Sequence, residues 1–83
     1  MTDKDAAINV LMVSPERVIY EGCARSIVVP GERGVFEILP FHKRLLSRLL
    51  GGKVIIDGKQ LPIERGVVKV GLDQTVIIVE EHL

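Results

Sequence analysis

Tryptophan is absent, and aromatic side chains number only three, one tyrosine and two phenylalanines. The interior of this 83-residue chain therefore has to be aliphatic, built from Val, Ile and Leu. A single cysteine, Cys23, rules out an internal disulfide and a cysteine-ligated zinc site, and fits a reducing compartment. Charge of one sign is not in surplus: 11 basic side chains face 11 acidic ones, which argues against the basic footprint of a nucleic-acid-binding protein. Long apolar runs are missing too. The start, Met1-Thr2-Asp3-Lys4-Asp5, is polar and leads into no hydrophobic stretch, so neither a signal peptide nor a membrane-spanning helix is expected. Any contact with a membrane has to be peripheral, without direct insertion.

What is present points to short strands. At this length one domain is expected, burying roughly 60% of its unfolded surface, so partners can matter to its stability. Residues 1–7 read as a flexible polar start and 8–83 as the domain. Ile8 to Val13 is an apolar run, Ser14-Pro15-Glu16 a turn, and Arg17 to Glu21 a second run ended by Gly22. Arg25 to Val29 is β-branched and stops at Pro30-Gly31. Lys53 to Ile56 and Lys59 to Ile63 flank Asp57-Gly58, the pair a type I′ hairpin turn requires, with Pro62 assigned to an edge or bulge. Val67 to Val70 and Thr75 to Val79, around Gly71-Leu72-Asp73-Gln74, form a second hairpin. Runs of this kind at near-regular spacing predict an all-β sandwich or barrel. One stretch reads two ways. Phe41, Leu45, Leu46, Leu49 and Leu50 recur at helical spacing opposite His42, Lys43, Arg44, Ser47 and Arg48, with Gly51 as a C-cap, so residues 41–50 are either a short basic helix or a loop and a strand.

No arrangement of residues supports catalysis. Gly31 to Gly34 lacks the Gly-Lys-Ser/Thr ending of a phosphate-binding loop and is read as a plain turn. Cys23 and His42 have no identifiable orienting acid and are read as a half-buried strand residue and a surface histidine. His82 is solitary near the C-terminus, and two distant histidines make no metal site. Asp3, Asp5, Glu80 and Glu81 are read as solvating the ends. Lys43, Arg44 and Arg48 form a basic cluster that is either a solvated face or a contact for acidic groups on a partner or lipid headgroups. No cofactor, metal or catalytic residue is assigned.

Taken in order, several segments resemble the signature of the epsilon subunit of rotary ATP synthases, in its N-terminal β-sandwich domain. Val13-Ser14-Pro15-Glu16-Arg17 looks like the family's first strand and turn, and Tyr20-Glu21-Gly22 like the next signature. Ile27-Val28-Val29-Pro30-Gly31-Glu32 precedes Ile38-Leu39-Pro40 and His42, which keep most of the family's Gly-Ile-Leu-Pro-Gly-His element, and Leu45-Leu46 follow. Gly66 to Val70 and Val76 to Val79 match its last hairpin.

The resemblance implies two packed antiparallel sheets, and it favours a loop and strand over 41–50. It implies a non-catalytic central-stalk subunit for rotary, proton-driven ATP synthesis. The expected partners are the gamma subunit and the polar loops of the membrane ring, with the protein peripheral on the cytoplasmic or equivalent face of an energy-coupling membrane. By position, Gly31, Glu32, Arg33, Val35 and His42 are expected at the ring, with Phe41, Lys43 and Arg44 in a basic and apolar patch nearby. Three positions depart from the family pattern. Its Gly before Ile-Leu-Pro is Glu37, strained if that site needs positive φ. Its Gly between Pro and His is Phe41. Lys43-Arg44 replace its Pro after His. Val35 stands where an acidic residue is common. The C-terminal helical hairpin of longer members has no counterpart here, so no inhibitory brake and no ATP site are expected. These departures leave an alternative reading, an epsilon-like sandwich acting as a dimer or adaptor outside the synthase.

Overall fold

The computed structural model describes residues 6–81. Its elements are β1 (Ile8–Val13), β2 (Val18–Ala24), β3 (Ile27–Gly31), β4 (Gly34–Ile38), β5 (Leu45–Leu49), β6 (Gly52–Ile56), β7 (Lys59–Val70) and β8 (Thr75–Glu81). No helix occurs among the described residues. The 41–50 stretch resolves as a loop followed by β5, because Leu45, Ser47 and Leu49 turn inward while Leu46 and Arg48 turn outward, the period of a strand.

The two layers of the sandwich share one strand. The first half of β7, Lys59 to Ile63, pairs with β6, and its second half, Gly66 to Val70, pairs with both β5 and β8. A register irregularity between Ile63 and Arg65 bends it from one layer into the other. The two separate C-terminal hairpins expected from the sequence are thus joined through one 12-residue strand. Pro62 pairs with Lys53 of β6 and has no β8 residue opposite it, since the β8 pairing begins only at Ile63, so it holds the edge position its missing N–H demands.

One layer runs β2-β1-β8-β7-β5, and the other carries β4-β3-β6 with the start of β7. Every pairing is antiparallel except β1 with β8, which is parallel. Val10, Met12, Val68, Ile77 and Val79 from the first layer meet Ile27, Val29, Ile38, Val54 and Ile56 from the second, all essentially closed to solvent. The core is therefore aliphatic, as the shortage of rings requires.

Local chemistry places the corners. Asp57 (φ 48°) and Gly58 (φ 84°) form the expected positive-φ turn between β6 and β7. The Asp57 carboxylate also accepts the N–H groups of Arg25 and Ser26 at 2.9 and 3.0 Å, tying that turn to the β2–β3 corner. Two details differ from the sequence reading. β2 continues through Gly22, which pairs with Val10, instead of ending there. Cys23 is exposed on β2, not half-buried, and its thiol donates to Asn9 Oδ1 at 3.4 Å.

Candidate partner interface

The sequence-assigned residues fall into two groups at opposite ends of β4. Gly31 closes β3 against Gly34, and Glu32-Arg33 form the two-residue turn between them. Gly31 is held to glycine by packing: an added Cβ would stand 2.6 Å from the ring of Phe36. Val35 follows on β4, 72% exposed. Phe41, His42, Lys43 and Arg44 lie beyond the far end of β4, in the connection to β5. Roughly 13 Å of strand separates the groups, at about 3.3 Å per residue, so His42 does not join the Gly31–Val35 turn in one loop.

Within the second group, the His42 N–H donates to the Leu39 carbonyl at 3.1 Å, closing a turn over Pro40 and Phe41. His42 Nδ1 sits 2.7 Å from the Lys43 carbonyl oxygen, where the ring is held by its own loop. Phe41 adopts φ 68° and is 84% exposed. Glu37, by contrast, lies in regular strand paired with Val28, so the strained departure from the family pattern is at Phe41 and not at Glu37. Leu72 is also exposed, in a turn that borders the same end of the sandwich.

A third surface was not singled out from the sequence. Across the outer face of the first layer, register aligns Val13, Ile78, Val67 and Arg48 in one row and Leu11, Val76, Lys69 and Leu46 in the next. Ile78 is 55% exposed and Leu46 70%, and an apolar groove of about 580 Å³ runs past Ile78, Val67, Leu50 and Pro15. Charged side chains frame it: Arg65 Nε lies 3.2 Å from Glu80, and Arg48 3.9 Å from Glu32. An aliphatic strip with a polar rim is the anatomy of a protein–protein contact. The sequence carried a signal for it. Val76 to Val79 is apolar at successive positions, so β8 has hydrophobic residues on both faces, and only one face is covered by the second layer.

Beside this face, Ser14, Arg17 and Glu81 form a small polar cluster. Arg17 grips the Glu81 carboxylate through two guanidinium nitrogens, with Nε 3.2 Å from each oxygen, and the Ser14 hydroxyl donates to Glu81 Oε2 at 3.3 Å. The hydrogen bond from Arg17 holds the Glu81 carboxyl below its ordinary range and raises the guanidinium above its own. Glu81 is therefore a structural partner rather than a solvating terminal acid. Asp3, Asp5 and His82 lie outside the described residues. Among the described residues, no group of three or more His, Cys, Asp or Glu side chains is placed to hold a metal.

Comparison with known proteins settles the family. Residues 7–83 match the family described as ATP synthase, Delta/Epsilon chain, beta-sandwich domain. The chain belongs to this family. An ATP synthase epsilon chain from Leptospira borgpetersenii is 40% identical over 79 residues, covering 90% of this chain and 61% of that one. One from Chlorobium limicola is 28% identical over 86 residues, covering 98% of each. This delta/epsilon-family chain thus spans about three fifths of the Leptospira relative and nearly all of the Chlorobium one. Its fold is that of a chain in the central stalk and c-ring structure of the Tetrahymena thermophila mitochondrial ATP synthase, with TM-score 0.77 at 16% identity, covering 89% of this chain and 63% of that one.

Proposed function

We propose that this delta/epsilon-family sandwich is an epsilon-type central-stalk subunit that links the gamma subunit to the membrane ring of a proton-driven rotary ATP synthase. It performs no chemistry of its own and sits peripherally on the cytoplasmic or equivalent face of the membrane, held there by the assembly. The observation that carries this reading is the uncovered aliphatic strip of Ile78, Val67 and Leu46 on a chain of this family. That strip is assigned to gamma. It is stiff because it is the back of a core layer, and stiffness is what a torque-bearing contact needs. The Gly31–Val35 turn is assigned to the polar loops of the ring. Phe41, His42, Lys43 and Arg44, at the far end of β4, make a separate contact in which the two cations meet acidic groups. Binding energy is expected to concentrate in the buried aliphatic centre, with the rim charges setting orientation and rate.

The test is co-elution with the cognate gamma subunit on size exclusion, for the parent chain and for Ile78→Asp. A one-to-one complex that Ile78→Asp weakens by about a hundredfold, a hot-spot-sized loss of ~3 kcal/mol, with an unchanged melting curve, is the expected result. No complex with the folded parent chain rejects the assignment.

One observation favours a second reading: a strained, exposed Phe41 beside an exposed Leu72 is unusual for a surface without a partner. Concentration-dependent self-association that Phe41→Gly abolishes, together with absent gamma binding, would make the protein a dimeric or adaptor sandwich outside the synthase.

A further inference from the structure

The edge of β4 carries a backbone pattern that none of the contacts above uses. Along the β3–β4 ladder, Pro30 stands opposite Val35. Pro30 has no N–H, and its carbonyl accepts the Leu50 N–H at 2.8 Å, on the side away from β4. The Pro30–Val35 pair is therefore a non-hydrogen-bonded one. Antiparallel ladders alternate, so Val28–Glu37 is of the same kind, while Val29–Phe36 and Gly31–Gly34 exchange the bonds. The N–H and C=O groups of Val35 and Glu37 consequently point outward, and β4 has no strand on that side.

At Val35 this edge opens onto a cleft of about 780 Å³ between β4 and β5, and Glu37 continues the same edge beyond the cleft's lining. Its walls are apolar, with Val35 and Phe36 on one side, Leu45 and Leu46 on the other, and Val67 at the back. β5 also turns backbone toward this side: the Arg48 carbonyl accepts the Glu32 N–H at 3.1 Å, so by alternation the Leu46 N–H and C=O face the same way. At the mouth stands Arg33, which has no ion-pair partner among the described residues, beside Arg48, whose contact with Glu32 is a long 3.9 Å.

We propose that this cleft receives an extended segment of a partner protein, which pairs with β4 as an added strand. The backbone of Val35 and Glu37 supplies the hydrogen bonds. Alternate apolar side chains of the segment rest against Phe36, Leu46 and Val67, and a carboxylate of the segment meets Arg33. A strand can use this edge because it asks only for unpaired backbone along one side and pockets for every second side chain. A helix would leave the Val35 and Glu37 backbone groups desolvated and unpaired. A nucleic-acid strand fits the lone arginine and not the aliphatic walls. The backbone edge of β4 lies apart from Ile78, but Leu46 and Val67 border both the cleft and the strip assigned to gamma. The test therefore uses the chain without gamma, and its outcome is read separately from gamma binding.

The probe is a capped nonapeptide of alternating valine and threonine with a central glutamate, added to the full chain. Three comparisons accompany it: the same peptide N-methylated at every second residue, a version with lysine for the glutamate, and the Val35→Pro chain. Amide hydrogen exchange, read residue by residue, is expected to slow about tenfold or more at Val35 and Glu37. N-methylation, which removes donors without removing apolar surface, is expected to weaken binding at least about tenfold, the cost of one lost bond. The lysine version is expected to bind less tightly than the parent. Val35→Pro, which deletes an outward donor and no β3 bond, is expected to stay folded and lose the peptide. Equal binding of the N-methylated peptide, unprotected Val35 and Glu37 amides at 1:1 saturation, or no binding at all of the parent peptide each overturns the proposal, whether or not Val35→Pro folds.

Discussion

Phe41 is the residue at which local conformation and composition most clearly disagree. A bulky side chain at φ 68° costs about 1–2 kcal/mol relative to glycine, and its ring, almost wholly exposed, recovers little of that within the chain. Phe41→Gly is expected to stabilise the isolated protein by about 1 kcal/mol, raising the melting temperature by about 4–8 °C, and to weaken whichever partner contact uses the ring. An unchanged or lower melting temperature would show that the ring is supported by its own loop. Asp57 works in the opposite sense. Its carboxylate satisfies two N–H groups at another corner and its backbone tolerates φ 48°, so Asp57→Ala removes both supports, with an expected loss of about 2 kcal/mol in urea titration. The Glu81 carboxyl titrates below its ordinary value in the fold because of Arg17, so the pair contributes stability at neutral pH that disappears as pH falls through and below the carboxylate range. Glu81→Gln should therefore melt below the parent at pH 7 and converge with it in acid. A gap that persists in acid would place the effect elsewhere. Little at this scale was legible in advance. Asp57-Gly58 announced its turn, because only positive φ at both positions suits that dipeptide between strands. The family pattern puts strain at Glu37 only if that site needs positive φ, and nothing in a linear pattern distinguishes a glycine that turns the chain from one that merely lies beside a ring.

At the scale of elements, β7 decides the architecture. The sequence shows two short β-type runs around Glu64-Arg65-Gly66, and they read as members of separate hairpins because charge and glycine interrupt the alternation. The structure uses that interruption as a bend, passing one strand from layer to layer. Gly66 permits it: an added Cβ would stand 2.6 Å from the Ile78 carbonyl oxygen and 2.8 Å from Val79 Cγ1. Gly66→Ala is expected to cost about 1–3 kcal/mol by overpacking and to loosen β8 selectively, measurable as faster amide exchange at Ile78 and Val79 than at Val29. Uniform acceleration would mean that the bend is not where the crowding is relieved. β5 shows the converse case. Five leucine and phenylalanine positions fit a helical wheel as well as a strand, and periodicity alone does not separate them. Pairing with β7 decides, because it buries Leu49 and leaves Leu46 exposed. The all-β class was legible because β-branched runs and turn residues alternate throughout. The outer-face strip is legible only as far as the continuous apolar run of β8, since a hydrophobic residue on a strand looks the same whether its cover belongs to the same chain or to another.

At the scale of the whole molecule, the shared strand couples the two layers. Tyr20, the single tyrosine, reports on the β1–β2 end, whereas far-UV circular dichroism reports on all strands. The two signals are expected to follow one urea transition with a slope of about 1 kcal/mol/M; separated midpoints would show that the layers unfold independently. The parallel pairing of β1 with β8 has a further consequence, for the way the protein is made. Val10 and Thr75 are neighbours in the sheet yet lie sixty-five residues apart in the chain. Contacts of such high order set folding on the millisecond-to-second scale instead of microseconds. During synthesis, β1 therefore leaves the ribosome with β2 as a partner and its other edge open, and waits for nearly all of the remaining strands before β8 arrives to cover it. The newborn chain is most vulnerable to adhesion with its neighbours in that interval, at the very edge that the finished protein hides.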